Sequence, residues 1–234
     1  MTSYLQCGEG KDLVFLHGYM ANKECFSSQI AYFSKFYRIT ALDFPGFGQS
    51  DPLDTAFSVG DYAKWLMNFL DEKKIVFPNV IAHSFGGRVA VKCLSLRENV
   101  FDRAVLCGCA GIVPKRTAMY KIKVKTYRLV KKIAPQFAER RFGSEEYRTL
   151  SPIMRESYKK IVNEDLRKDA AQIRRPVLFL NGNKDRETPL SQIEIYQSCV
   201  EGSKLTVLDG CGHFAFLDDP LAFGLAAEEF FYGT

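Results

Sequence analysis

Histidine is scarce in this chain, with three in 234 residues, and tryptophan occurs once. No zinc-ligand spacing, no phosphate-cradling glycine loop and no internal repeat is present, so the sequence points to no metal and no cofactor. No run approaches the roughly 20 apolar residues that span a bilayer, which excludes a transmembrane helix. The segment Met1 to Cys7 lacks a basic stretch followed by an apolar one, so no signal peptide is visible. The seven cysteines are odd in number and show neither ligand spacing nor a disulfide framework; reduced thiols and a cytoplasmic location are expected. What remains is 47% hydrophobic composition in a chain long enough to bury on the order of 70% of its unfolded surface. That is one globular domain of enzyme size.

Apolar runs predict strands near 3–7, 12–16, 37–42, 78–83, 103–109, 176–181 and 204–208, with helical periodicity between most of them. Strands alternating with helices give an α/β fold, a mostly parallel central sheet flanked by helices. Asp61 to Leu70 has apolar residues at helical spacing, and Pro220 to Tyr232 reads as a last helix that packs Phe223, Phe230 and Phe231 onto the sheet.

One strand runs into Ala82-His83-Ser84-Phe85-Gly86-Gly87 and then into an apolar helix. Ser84 stands at the apex of this turn. A side chain there needs a strained backbone and small neighbours two positions away, which Ala82 and Gly86 provide. Such a turn pushes the hydroxyl out of the sheet and points the Phe85 amide into the same space.

A serine nucleophile requires a base and an acid to orient it. His213 closes a Gly-punctuated loop after the strand at 204–208, and is the candidate base. His83, inside the turn, is assigned a packing or hydrogen-bonding role. Asp185 follows the apolar run Val177 to Leu180 and the turn at Gly182, at the strand end where α/β sheets carry their chemistry. Asp209 is the rival acid, but lies only four residues from His213. The early strand Leu13 to Leu16 opens into His17-Gly18-Tyr19, so the amides of Tyr19 and Phe85 are the candidate oxyanion donors, with His17 shaping the loop. Cys211, two residues before His213, reads as a small loop filler rather than a nucleophile.

Together these pieces resemble the α/β-hydrolase superfamily of serine hydrolases. The resemblance rests on His17-Gly18, the loop Asp43 to Ser50, the Ser84 turn, Asp185 in a GxxDxxxP setting that ends at Pro189, and Gly212-His213. They stand in the family order of serine, acid, histidine. Ala82 departs from the more frequent glycine, a small-for-small change. The resemblance implies catalysis by Ser84, Asp185 and His213 through an acyl-enzyme, with a small-molecule carboxylic ester as substrate. It also makes residues 112–173 a helical cap between core segments 1–111 and 174–234. Enzymes of this fold that use an aspartate in place of Ser84, the haloalkane dehalogenases and epoxide hydrolases, are disfavoured.

Residues 112–175 hold eighteen Lys and Arg against seven Asp and Glu, a net +11, so the rest of the chain carries −6. Lys121 to Ile133 fits an amphipathic helix with one cationic face. Three partners suit that charge: an anionic substrate, an acidic carrier protein or an anionic membrane surface. Nucleic acid is not expected, since no recognition motif accompanies it. Alternatives to a simple ester are a carrier-bound methyl ester or thioester, a carbon–carbon bond of a vinylogous diketone, and ligand reception without catalysis.

Overall fold

The structure, a computed structural model, describes residues 1–114 and 149–233. Seven strands form one sheet: β1 (Tyr4–Cys7), β2 (Lys11–Leu16), β3 (Tyr37–Leu42), β4 (Asn79–His83), β5 (Ala104–Cys107), β6 (Val177–Gly182) and β7 (Lys204–Leu208). Their spatial order is β1-β3-β2-β4-β5-β6-β7, with β1 antiparallel to β3 and every other pair parallel. The strand expected over 103–109 stops at Cys107, because Gly108 turns the chain at φ +52°.

The helices are α1 (Ser27–Phe33), α2 (Val59–Glu72), α3 (Phe85–Leu96), α4 (Pro152–Asn163), α5 (Arg167–Ala170), α6 (Leu190–Cys199), α7 (Ala215–Asp218) and α8 (Pro220–Tyr232). Strand residues alternate between two cores, as a period of two requires. Val14, Leu16, Leu106 and Phe179 join α2, α3 and α6 on one face. Leu13, Phe15, Val105 and Leu180 join α1 and α8 on the other. Coverage on both faces explains why the inner strands read as continuous apolar runs. The expected C-terminal helix is α8, and it buries Phe223, Phe230 and Phe231. The helix expected around Asp61 is α2, started by a Ser58–Asp61 capping box.

From β2 the chain first steps outward to β3, then returns to the other side of β2 to form β4. The loops after β2 and β4 therefore leave their neighbouring strands in opposite directions, which opens a crevice between them at the strand ends. Of the residues singled out from the sequence, His17, Tyr19, Ser84 and Phe85 flank that crevice, while Asp185 follows β6 and His213 follows β7. The expected cationic helix from Lys121 to Ile133 lies outside the described residues. Among the described residues, no helix is long and apolar enough to cross a membrane.

Candidate active site

Ser84 connects β4 to α3 with φ 50° and ψ −106°, a conformation that costs a non-glycine residue on the order of 1–3 kcal/mol. Three backbone bonds hold it there: its N–H donates to the Cys107 carbonyl at 2.9 Å, and its own carbonyl accepts from the amides of Arg88 at 3.2 Å and Ala110 at 3.4 Å. The need for a small residue at Gly86 has a definite cause. A Cβ at this position would lie 2.3 Å from the Leu16 carbonyl oxygen and 2.9 Å from that of His17. Strand β2 and helix α3 pack backbone to backbone here. Phe85 begins α3, so its amide belongs to the first helical turn, where N–H groups lack intrahelical acceptors.

The loop after β2 runs alongside the elbow. A Cβ added to Gly18 would sit 3.6 Å from Ser84 Cβ, so Tyr19 follows directly beside the serine. His17 holds this loop as expected: Nε2 accepts the Phe44 N–H at 3.1 Å, which leaves Nδ1–H to donate to the Gly18 carbonyl at 2.7 Å. Burial lowers its pKa to about 4, so the ring is neutral and both bonds persist at neutral pH. The neighbouring Asp43 loop is closed on itself, Asp43 accepting from the Lys23 ammonium at 2.8 Å and from the amides of Lys23 and Gln49 at 2.8 and 3.0 Å.

Asp185 and His213 meet. Asp185 Oδ2 accepts Nδ1–H of His213 at 2.8 Å and the Thr188 hydroxyl at 2.6 Å, while Oδ1 accepts the amides of Glu187 and Thr188 at 2.8 and 2.9 Å. Burial alone would raise the Asp185 pKa, but the hydrogen bonds from His213 and Thr188 outweigh it and hold the carboxyl below its ordinary value. The rival Asp209 is exposed and hydrogen-bonds Asn183. It braces the loop instead of the imidazole. Gly182 permits this approach: a Cβ there would fall 2.2 Å from the Cys211 carbonyl oxygen. Cys211 itself is buried in the second core, where burial raises its thiol pKa.

His83 packs against His213. Its Nε2–H donates to the His213 carbonyl at 3.0 Å, and its ring packs 4.7 Å from the His213 ring. Burial lowers its pKa to about 3, so it too is neutral. On the outer side, His213 Nε2 lies 3.4 Å from the Glu187 carboxylate, which is 69% exposed and therefore able to exchange this contact for water. Ser84 Oγ makes no hydrogen bond with a described residue.

Ser84, Tyr19, Phe85 and His213 all line one pocket of about 370 Å³. Helix α4 contributes Tyr158, Ile161 and Val162 to the same wall. Thr188, Glu187 and Arg88 also belong to the site, and the sequence reading missed them. For Thr188 a signal existed, since it falls inside the same spaced motif as Asp185. For Arg88 the only signal was its helical spacing from Ser84. Among the described residues, no group of three His, Cys, Asp or Glu side chains could hold a metal ion.

Comparison with known proteins fits this arrangement. The chain is 35% identical over 115 residues to the (E)-2-((N-methylformamido)methylene)succinate hydrolase of Acinetobacter baylyi, a match covering 49% of this chain and 42% of that protein. It is 24% identical to the pimeloyl-[acyl-carrier protein] methyl ester esterase of Nitrosomonas europaea, covering 92% of this chain and 94% of that one. The fold is shared with an esterase from Exiguobacterium antarcticum, with a TM-score of 0.79, 24% identity, and coverage of 98% of this chain and 94% of the esterase. The sequence model of the alpha/beta hydrolase family matches residues 13–224, and the chain belongs to that family.

Proposed function

We propose that the protein is a serine hydrolase of small or medium carboxylic esters that works through an acyl-enzyme. Ser84 attacks the ester carbonyl. His213 Nε2 takes the serine proton and returns it to the leaving alcohol, then activates water for the second step. Asp185 fixes the ring proton on Nδ1 and steadies the imidazolium, while the amides of Tyr19 and Phe85 receive the oxyanion about 3 Å away. Glu187, next to Nε2, releases its contact as the base turns to the serine. Helix α4, within the expected cap of residues 112–173, walls the acyl pocket; residues 115–148 of that expected cap lie outside the described residues.

The observation that carries the reading is the Asp185–His213 bond at 2.8 Å, made by a histidine that lines the same pocket as a serine held at φ 50°. A side chain kept in a strained turn and a histidine kept in one tautomer have little structural purpose apart from each other. In a folded Ser84→Ala variant, turnover of p-nitrophenyl esters should fall by up to about a millionfold, and labelling of the protein by a fluorophosphonate should cease. Retained turnover, or labelling at another residue, would overturn the proposal.

A second reading is a carrier-bound methyl ester as substrate. It is favoured by the +11 charge of residues 112–175 and by the similarity to the Nitrosomonas europaea esterase. Reversing several of those charges should then impair a carrier-bound ester and spare a neutral p-nitrophenyl ester.

A further inference from the structure

Arg88 is a buried cation in the pocket of Ser84 that forms no ion pair among the described residues. It lies four residues along α3 from the serine, and residues so spaced share a helix face with Cβ atoms about 5–6 Å apart. Its side chain is only 8% exposed, yet it lines the same pocket. Nη1 donates to the carbonyls of Ile161 at 2.8 Å and Glu164 at 3.0 Å, at the C-terminal end of α4. These carbonyls fix the guanidinium in place and, at a helix C-terminus, offer it partial negative charge but not a full counter-ion.

No carboxylate among the described residues forms an ion pair with Arg88. The nearest in sequence to its acceptors, that of Glu164, pairs instead with Lys92 at 2.9 Å. Nε and Nη2 hold no hydrogen bond among the described residues, and neither is sealed off as a buried orphan. Burial lowers the Arg88 pKa from its ordinary value, and the charge of the nearby Glu164 carboxylate offsets that desolvation only in part. Arginine is almost never this buried unless paired. An anion entering with the substrate would give this guanidinium the full pair that the described residues do not supply.

We propose that Arg88 binds a carboxylate on the acyl part of the substrate, so that the preferred ester is the half-ester of a short dicarboxylic acid. The planar guanidinium suits a carboxylate, offering Nε–H and Nη2–H as a two-pronged donor. One helical turn separates the anchor from the nucleophile, so the free carboxylate stands a few bonds from the carbonyl under attack. A pocket of about 370 Å³ accommodates an acyl group of that size. This inference rests on the proposed role of Ser84, and its test separates the two.

The probes are p-nitrophenyl hydrogen glutarate and the neutral p-nitrophenyl pentanoate. The wild-type protein should favour the anionic ester in kcat/KM by about tenfold or more, and Arg88→Gln should cut that ratio by about 10- to 100-fold, mainly through KM. Arg88→Lys, which keeps the charge and loses the fork, should fall between them. A wild-type preference for the neutral ester, or an equal loss on both esters in each folded variant, would overturn the proposal and leave Arg88 as a clamp on α4. Calorimetric titration of free glutarate into Ser84→Ala protein gives a readout independent of turnover. Binding that disappears on adding Arg88→Gln supports the anion site even if Ser84 proves inert to fluorophosphonate, whereas absent binding refutes it.

Discussion

Asparagine at position 185 would swap one atom for another of similar size, so the outcome is decided by hydrogens rather than by space. Asp185 Oδ1 faces two main-chain donors, the amides of Glu187 and Thr188, which cannot turn away. The new NH2 group must therefore take the place of Oδ2, which faces the Thr188 hydroxyl and His213 Nδ1. The hydroxyl can rotate and accept. The imidazole can accept only by moving its proton to Nε2, the nitrogen that the proposed mechanism requires to be bare to receive the serine proton. Asp185→Asn should then lower kcat by about 10³–10⁴, equivalent to roughly 4–5.5 kcal/mol of transition-state stabilisation. Stability should fall by only about 1–3 kcal/mol, since one charged acceptor is lost and the shape is kept. Steady-state hydrolysis of a p-nitrophenyl ester gives the rate, and nitrogen NMR of the ring gives the tautomer. A kcat within tenfold of wild type, or a ring still protonated on Nδ1, would refute the argument.

Relief of the turn at position 84 should be measurable: Ser84→Gly should be more stable than Ser84→Ala by about 1 kcal/mol in chemical denaturation, and equal midpoints would mean that φ 50° stores no strain. Gly86→Ala would force a Cβ against two carbonyl oxygens of the β2 end and should cost about 3 kcal/mol or more, read as a lower Tm; an unchanged Tm would contradict the close approach. Acid should weaken the fold through its buried imidazoles. His17 and His83 have folded pKa values of about 4 and about 3 against 6.5 in the unfolded chain, so the unfolded state binds the extra protons. Stability should be full above about pH 6.5 and decline as pH falls toward 4 and 3, with up to about 3 kcal/mol at stake for His17 alone. Urea midpoints that stay flat across that window would show that these rings are not held neutral.

Features with local causes could be read from the sequence. The inner strands are covered on both faces and so are written as apolar runs; β3 spans 37–42 as expected, and β6 begins one residue later than expected. The Ser84 turn was legible because its backbone tolerates only small flanking residues. Asp185 and His213 were legible because each follows a strand end. What remained hidden depends on contacts distant along the chain. Arg88 takes its meaning from carbonyls 73 and 76 residues away. Glu187 gains its place from the turn that brings it beside the His213 ring. The wall formed by α4 could not be placed, since its amphipathic pattern says that one side is covered and not by what.

The bond from His83 to the His213 carbonyl ties the loop carrying the proposed base to the residue immediately before Ser84. Because His83 ends the central strand β4, this tether is seated in the most deeply covered part of the sheet. A peripheral loosening of α7 and α8 would have to pull against it before the base could drift from the serine. Heat should accordingly leave activity intact until the sheet itself gives way, so that loss of turnover and loss of fold follow a single curve.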